Sequence, residues 1–213
     1  MNAPFPAAPF RAAPFHDEPF PEVRGHASQV IVSADEQWIA VNSVWSGVSR
    51  VAVYRAADLS CAHLLTFTMD AESIAFHPTL PLLAIGLDNY DAYIREGGLT
   101  LLEPATGHRV DFADPAWGIE PIRWPDARTL ELTFFTWESD CEQLHSRATV
   151  VRDDWLGLTP DALDLRTLPR TPLPRTPRST TSTRNPPDRC SRRSPSARAG
   201  ATTASAGSGP WPG

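Results

Sequence analysis

SIAFHPTLPLLAIG, residues 73–86, is the stretch whose reading decides how this chain of 213 residues folds. Residues 73–77 alternate, with Ile74 and Phe76 on one face, which is the period of a half-buried strand. Residues 77–81, His-Pro-Thr-Leu-Pro, make a turn, because two prolines cannot sit in a central hydrogen-bonded ladder. Residues 82–85 are continuously apolar, as an inner strand covered on both faces would be, and Gly86 closes the run. After a polar loop come Leu-Thr-Leu-Leu at 99–102, a Glu-Pro-Ala-Thr-Gly turn at 103–107 and a short strand at 108–112. Four strands joined by tight turns predict an antiparallel meander.

The same order runs earlier. Residues 29–32 read as a strand, 33–36 as a turn, 38–41 as an apolar strand, 42–49 as a loop, 51–54 as a strand, 55–58 as a turn and 61–67 as a strand. A third copy places strands at 120–124, 130–136 and 148–151, with a turn at 125–128. Val32, Phe76 and Trp124 take equivalent positions, 44 and 48 residues apart. Repeats of about 40 to 50 residues with four strands each are the signature of propeller blades. The fold class expected is therefore all-β: an incomplete β-propeller of about three four-stranded antiparallel blades, at 27–68, 69–113 and 117–156. Closed propellers usually have about four to eight blades. Three leave an inter-blade face bare, so either the chain is a truncated propeller or it self-associates, or binds a partner, to close the ring.

The stretch resembles a blade of the WD-repeat and YVTN-type β-propellers. Phe76, Pro78, Leu83-Ala84, Gly86 and Thr106-Gly107 match the family's pattern in the second copy, and Ser33, Asp35 and Ile39-Ala40 match it in the first. Gly25-His26 is similar to the Gly-His that often precedes a WD blade. The Trp-Asp dipeptide is missing, with Tyr54-Arg55, Leu102-Glu103 and Val151-Arg152 near its places. The resemblance covers about residues 25–155 and implies the fold, with almost nothing about function. It does not imply an activity, because one fold hosts many functions.

Outside residues 26–158 the composition changes. Residues 1–25 carry Pro-Phe pairs at 4–5, 9–10, 14–15 and 19–20, and proline at that density favours extended, polyproline-like chain. Residues 159–213, rich in Pro, Arg, Ser and Thr, are expected to be a disordered tail, since they bury too little apolar surface to offset ordering entropy. The net charge of −6 is split: up to Arg166 there are 11 Arg against 24 Asp and Glu, and from Thr167 on 8 Arg against Asp188 alone. All 19 basic residues are arginine. A GC-rich gene read in a shifted frame would give such a tail, so a frameshifted remnant is one expectation. Reading the coding DNA in its other frames tests it. The tail also repeats itself, Leu-Pro-Arg-Thr-Pro at 168–172 and again at 173–177, with the PxxP spacing that SH3-type grooves accept.

Cys61, Cys141 and Cys190 have no metal-site or disulfide spacing. There is no secretory leader pattern and no apolar run of membrane-spanning length, so a cytoplasmic location is expected, without membrane or nucleic-acid partners. No GxGxxG, GxxxxGK[ST], HExxH, GxSxG or EF-hand loop occurs. Asp88, Asp91, Glu96 and His77 match no known metal loop, and neither a metal nor a cofactor is expected.

In a four-stranded blade, the loop between the second and third strands and the loop entering the next blade open on the same side. These loops hold Trp45, Asp88, Tyr90, Asp91, Tyr93, Trp137, Glu138 and Asp140, and the entering loops hold Asp70, Glu72, Asp114 and Trp117. Trp45, Asp88, Tyr90, Asp91, Tyr93, Trp117, Trp137, Glu138 and Asp140 are the candidate partner-binding rim. Aromatic anchors amid carboxylates suit a cationic peptide, an amine or a sugar. No catalytic residue is assigned. The function expected is a non-catalytic protein- or peptide-binding scaffold. The alternatives are a propeller-type hydrolase or lyase using rim carboxylates, or a non-functional gene fragment. The Pro-Phe segment could dock on a partner or into the gap of the open arc.

Overall fold

The computed structural model describes residues 20–23, 27–45, 48–89, 96–139 and 142–174, all within the unit Met1–Pro177. Its first sheet joins β1 (Ala27–Val32), β2 (Trp38–Trp45), β3 (Val48–Arg55) and β4 (Cys61–Phe67) in sequence order. The second joins β5 (Asp70–Phe76), β6 (Leu83–Asp88), β7 (Gly97–Glu103) and β8 (His108–Asp114). The third joins β9 (Gly118–Asp126), β10 (Thr129–Ser139), β11 (Glu142–Val151) and β12 (Thr171–Pro172). All neighbouring strands are antiparallel. Among the described residues this is an incomplete all-β propeller of three four-stranded blades. The first strands, β1, β5 and β9, are innermost, and β5 touches both of the others.

The opening stretch forms β5, a turn and β6. Every residue of β6 is buried, because it packs against blade 1 on one side and blade 3 on the other. Ile85, Leu83 and Leu87 join Ala40, Val51 and Val53 between blades 1 and 2. Ala84, Leu99 and Leu101 join Ile119, Leu130, Leu132 and Phe134 between blades 2 and 3. Gly86 follows from the same squeeze: a Cβ there would run into the Ile119 carbonyl of β9. His77 organises the turn. Its Nδ1 accepts the N–H groups of Thr79 and Leu80 at 3.2 and 3.0 Å. Its Nε2 lies 2.8 Å from the carbonyl of Ala127 in blade 3. A carbonyl only accepts, so Nε2 carries the proton and the ring is neutral. Burial holds the imidazole below its usual pKa, against the opposing pull of the Ala127 bond.

Polar side chains stitch the blades, in part where the sequence suggests loops. Asn42 Nδ2 donates to the Ala71 carbonyl at 2.6 Å, and the Ala71 N–H donates to Ser49 Oγ at 2.9 Å. Between blades 2 and 3, the Ile122 N–H donates to Ser73 Oγ at 2.9 Å. The expected loop at 42–49 is therefore mostly strand. Asn42 and Ser49 are buried hydrogen-bonding partners rather than solvated residues.

The end of the third blade also differs from expectation. Residues 159–174, assigned by composition to the tail, form two 3-10 turns, Pro160–Ala162 and Leu165–Thr167, and then β12. Trp155, Leu158 and Leu165 are buried in the wedge between blades 2 and 3, where the Trp155 ring meets Trp124 edge-on at 4.7 Å. Two residues of strand carry no periodicity to read. Pro172 is tolerated because β12 is an edge.

Candidate functional site

The register of blade 2 brings one row of residues to one end of the sheet. Asp70 pairs with Asp88, Asp88 with Gly97, and Gly97 with Asp114. Asp88 is the last residue of β6 and points toward blade 3, since β6 residues alternate between the two neighbouring blades. Only 2% of it is exposed. Gly118 of β9 lies directly over it: a Cβ on Gly118 would meet Asp88 Oδ1, so glycine lets blade 3 close on the carboxylate.

Three more carboxylates surround Asp88. Asp70 and Glu72 come from β5 and Glu120 from β9, each half-buried. Burial first, then the charges of Glu120, Glu72 and Asp70, push the Asp88 carboxyl up to about 7. Glu120 is also raised, by burial and then by Glu72, whose carboxyl shares a hydrogen bond with it. Burial raises Asp70 as well. Asp88 Oδ2 has no hydrogen-bond partner among the described residues. A buried carboxylate oxygen left unmatched is costly unless a proton or a cation answers it. Among the described residues no three His, Cys, Asp or Glu side chains are placed to hold a metal ion.

The outer end of the same row is already answered. Asp114, buried at the end of β8, accepts the N–H groups of Ala116 and Trp117 at 2.9 and 3.1 Å. It also pairs with Arg170. The Arg170 guanidinium lies 3.9 Å from the Phe134 ring centroid and 5.0 Å from that of Trp117, and donates to the Leu165 carbonyl at 3.0 Å. An arginine held by a carboxylate and two aromatic faces is cation–π recognition combined with a charged hydrogen bond.

Of the nine expected rim residues, the structure places Asp88 and Trp117 at this end of blade 2. Tyr90, Asp91, Tyr93 and Asp140 lie outside the described residues. For Trp45, Trp137 and Glu138 the backbone alone is described: Trp45 ends β2 opposite Val48, and Trp137 pairs with Gln143. Asp70 and Glu72 are strand residues rather than loop residues. Asp70, Glu72 and Asp114 were expected in the entering loops but left out of the nine, while Glu120, Phe134 and Arg170 were assigned to neither. Glu120 had a legible signal, because it follows Glu72 by the 48 residues that separate Phe76 from Trp124.

No family model and no curated protein matches the sequence. Among solved structures the chain is similar to Kuenenia stuttgartiensis hydrazine synthase, at 13% identity with a TM-score of 0.51, over 70% of this chain and 42% of that one. It is also similar to a chain in the crystal structure of a mitotic checkpoint complex, at 16% identity with a TM-score of 0.39, over 62% of this chain and 52% of that one. The chain thus spans about half the length, or less, of the structures it matches. The first likeness agrees with the propeller fold, and identity this low carries nothing about activity. No helix among the described residues is long and apolar enough to cross a membrane.

Proposed function

We propose that this protein is a non-catalytic binding scaffold, a partial propeller of WD-repeat-like type, whose acidic cluster at the end of blade 2 receives a cationic group of a protein or peptide partner. The observation that carries this reading is Asp88: a buried carboxylate with an unmatched oxygen, ringed by Asp70, Glu72 and Glu120. A guanidinium set among the half-buried carboxylates would favour the ionised form of Asp88. Arg170 in its clamp of Asp114, Trp117 and Phe134 supports the choice of cation, because the same blade end already accommodates an arginine from the chain itself.

The test is titration with a hexa-arginine peptide, following the Asp88 carboxyl by NMR. Binding should weaken with added salt, and the Asp88 pKa should fall well below 7 on saturation. Glu72→Gln with Glu120→Gln should weaken binding more than tenfold. Asp153→Asn, a distant exposed acid, should not. Equal losses from both would reduce the binding to general attraction by an acidic surface and overturn the reading. The free protein gives a second readout. A carboxyl raised in the folded state binds its proton more tightly there than in the unfolded chain. Its stabilising contribution is complete below about pH 4 and is lost as pH rises through about 7. Asp88→Asn should flatten that slope.

A carboxyl near 7 also suits a general acid or base, which favours a second reading, a hydrolase or lyase using Asp88. Turnover on a substrate panel that disappears in Asp88→Asn while peptide binding survives would select it.

A further inference from the structure

The chain leaves blade 3 after β11 and comes back to it as an extended segment held on both of its sides. Thr171 pairs with Arg147 and Pro172 with Ser146, on the edge of β11 that β10 leaves free. The Leu173 N–H donates to the His145 carbonyl at 2.9 Å. Side chains alternate along such a strand. Leu168 packs against the core between blades 2 and 3, and two residues on, Arg170 reaches the clamp of Asp114, Trp117 and Phe134. Pro169, Thr171 and Leu173 take the other side, where they line a hollow with Arg147 and Thr149. A strand added to a sheet edge, with seats for alternate side chains, is a recurring way in which proteins hold peptides.

Three features mark this segment as a replaceable occupant rather than a fixed part of the sheet. Its backbone hold is short: two residues pair with β11, and Pro169 and Pro172 have no N–H to donate. Its arginine fits incompletely. Nη2 donates to Asp114 and to the Leu165 carbonyl, while the buried Nε has no partner among the described residues. Its sequence is also not unique, because Leu-Pro-Arg-Thr-Pro at 168–172 recurs at 173–177. We propose that the β11 edge and the Asp114–Trp117–Phe134 clamp form a docking groove for an extended Leu-Pro-Arg-Thr-Pro segment of a protein partner, and that residues 168–172 occupy it as an internal ligand. The groove selects arginine over lysine, since a flat guanidinium stacks on the rings while its edge donates to the buried carboxylate. It is separate from the cluster at Asp88 and does not rest on the reading of that site.

Fluorescence anisotropy of a labelled Thr-Leu-Pro-Arg-Thr-Pro-Leu peptide tests the proposal. The protein is the full chain with Arg170→Ala and Arg175→Ala, which empties the clamp and leaves no arginine of the repeat to refill it. The peptide should bind this variant saturably and raise its unfolding midpoint. Citrulline in place of the peptide's arginine, or Asp114→Asn in the protein, should weaken binding at least tenfold, whereas Asp153→Asn should change it less than twofold. The parent chain should bind the peptide at least tenfold more weakly, because its own tethered segment competes at a roughly millimolar effective concentration. If the alanine variant does not fold, Arg170→Lys with Arg175→Lys keeps a positive charge beside Asp114 and takes its place, with the same outcomes expected. A folded variant that binds no peptide would overturn the proposal, as would equal binding of the citrulline peptide. A sedimentation coefficient that rises with protein concentration in Arg170→Ala alone, and not when Arg175→Ala is added, would assign the groove to a second copy and overturn it too.

Discussion

Blade 1 turns Val30, Val32, Ile39, Val41, Ala52 and Tyr54 away from the rest of the array, whereas blade 3 turns out Arg123, Glu131 and Thr149 in one row and Thr133, Arg147 and Thr171 in the next. The two faces share a strand order and differ in chemistry. An apolar face must be covered, and Phe20 and Val23 begin to cover it. A polar face is stable against water, as in the terminal units of repeat arrays. The chain after blade 3 enters the wedge between blades 2 and 3 through Trp155 and Leu165 and returns as β12, where Thr171 extends the outward row and Pro169 and Leu173 line a hollow with Arg147 and Thr149. The difference also bears on closing the ring with copies of the chain. Head-to-tail closure would press Arg123, Glu131 and Arg147 against valines and leucine, and the desolvation of those charges would go unanswered.

The sharpest way to break this comparison is to place the same charge on both faces. Val41 has no exposed surface and lies under Val23. Val41→Asp buries a carboxylate without a partner and should cost about 3 kcal/mol or more. Thr149→Asp puts the same group on an exposed strand position directly opposite Glu131, where water-screened repulsion should hold the loss to about 1 kcal/mol or less. Urea denaturation of the two variants measures both. Similar losses would mean that the faces are equally buried and that the contrast is false.

A second variant sharpens how each end is fastened. The beginning of the described chain is held by an aromatic ring, and the end by a cation. Arg170→Met leaves the buried Asp114 carboxylate without its countercharge and should cost about 3 kcal/mol, the usual price of breaking a buried pair from one side. Adding Asp114→Asn removes the stranded charge and should recover part of that loss. The Ala116 and Trp117 N–H groups can still donate to the amide oxygen. A double-mutant cycle by thermal or urea unfolding gives the coupling. No recovery would place the stabilising role of Arg170 in its stacking on Phe134 and Trp117 rather than in the charge.

Most of the strand pattern was legible because it rests on period and punctuation. Ile74 and Phe76, the two prolines after His77, and the run at 82–85 each point to one local structure. What could not be read lay where burial overrides polarity. Asn42 and Ser49 look like loop residues but satisfy backbone groups of the next blade. Arg170 and Thr171 look like tail but complete a clamp and an edge strand. The acidic cluster was half visible. Asp88, Asp70 and Glu72 stood near one blade end on any propeller alignment, whereas Glu120 sat inside a predicted strand. Which of several carboxylates is buried depends on Gly118, whose missing side chain admits blade 3, and no single-residue pattern announces that.

The smallest effect expected is at the ion pair on the polar face. Arg147 Nη1 lies 3.5 Å from Glu131 Oε2, with the arginine nearly half exposed. Coulomb attraction there is screened by water and salt, and holding two long side chains together costs rotamer entropy. Arg147→Met should therefore change stability by about 0.5 kcal/mol or less, and that difference should disappear at high salt. Its value lies in a second readout. If blade 3's outward face stays dispersed because it is charged, replacing Arg147 and Arg123 with methionine together should raise the sedimentation coefficient with protein concentration while leaving the unfolding midpoint almost unchanged. A double variant that stays monomeric at every concentration would show that polarity at these two positions is not what keeps the face free. The contrast between the two outer faces would then have to rest on the cover over blade 1 alone.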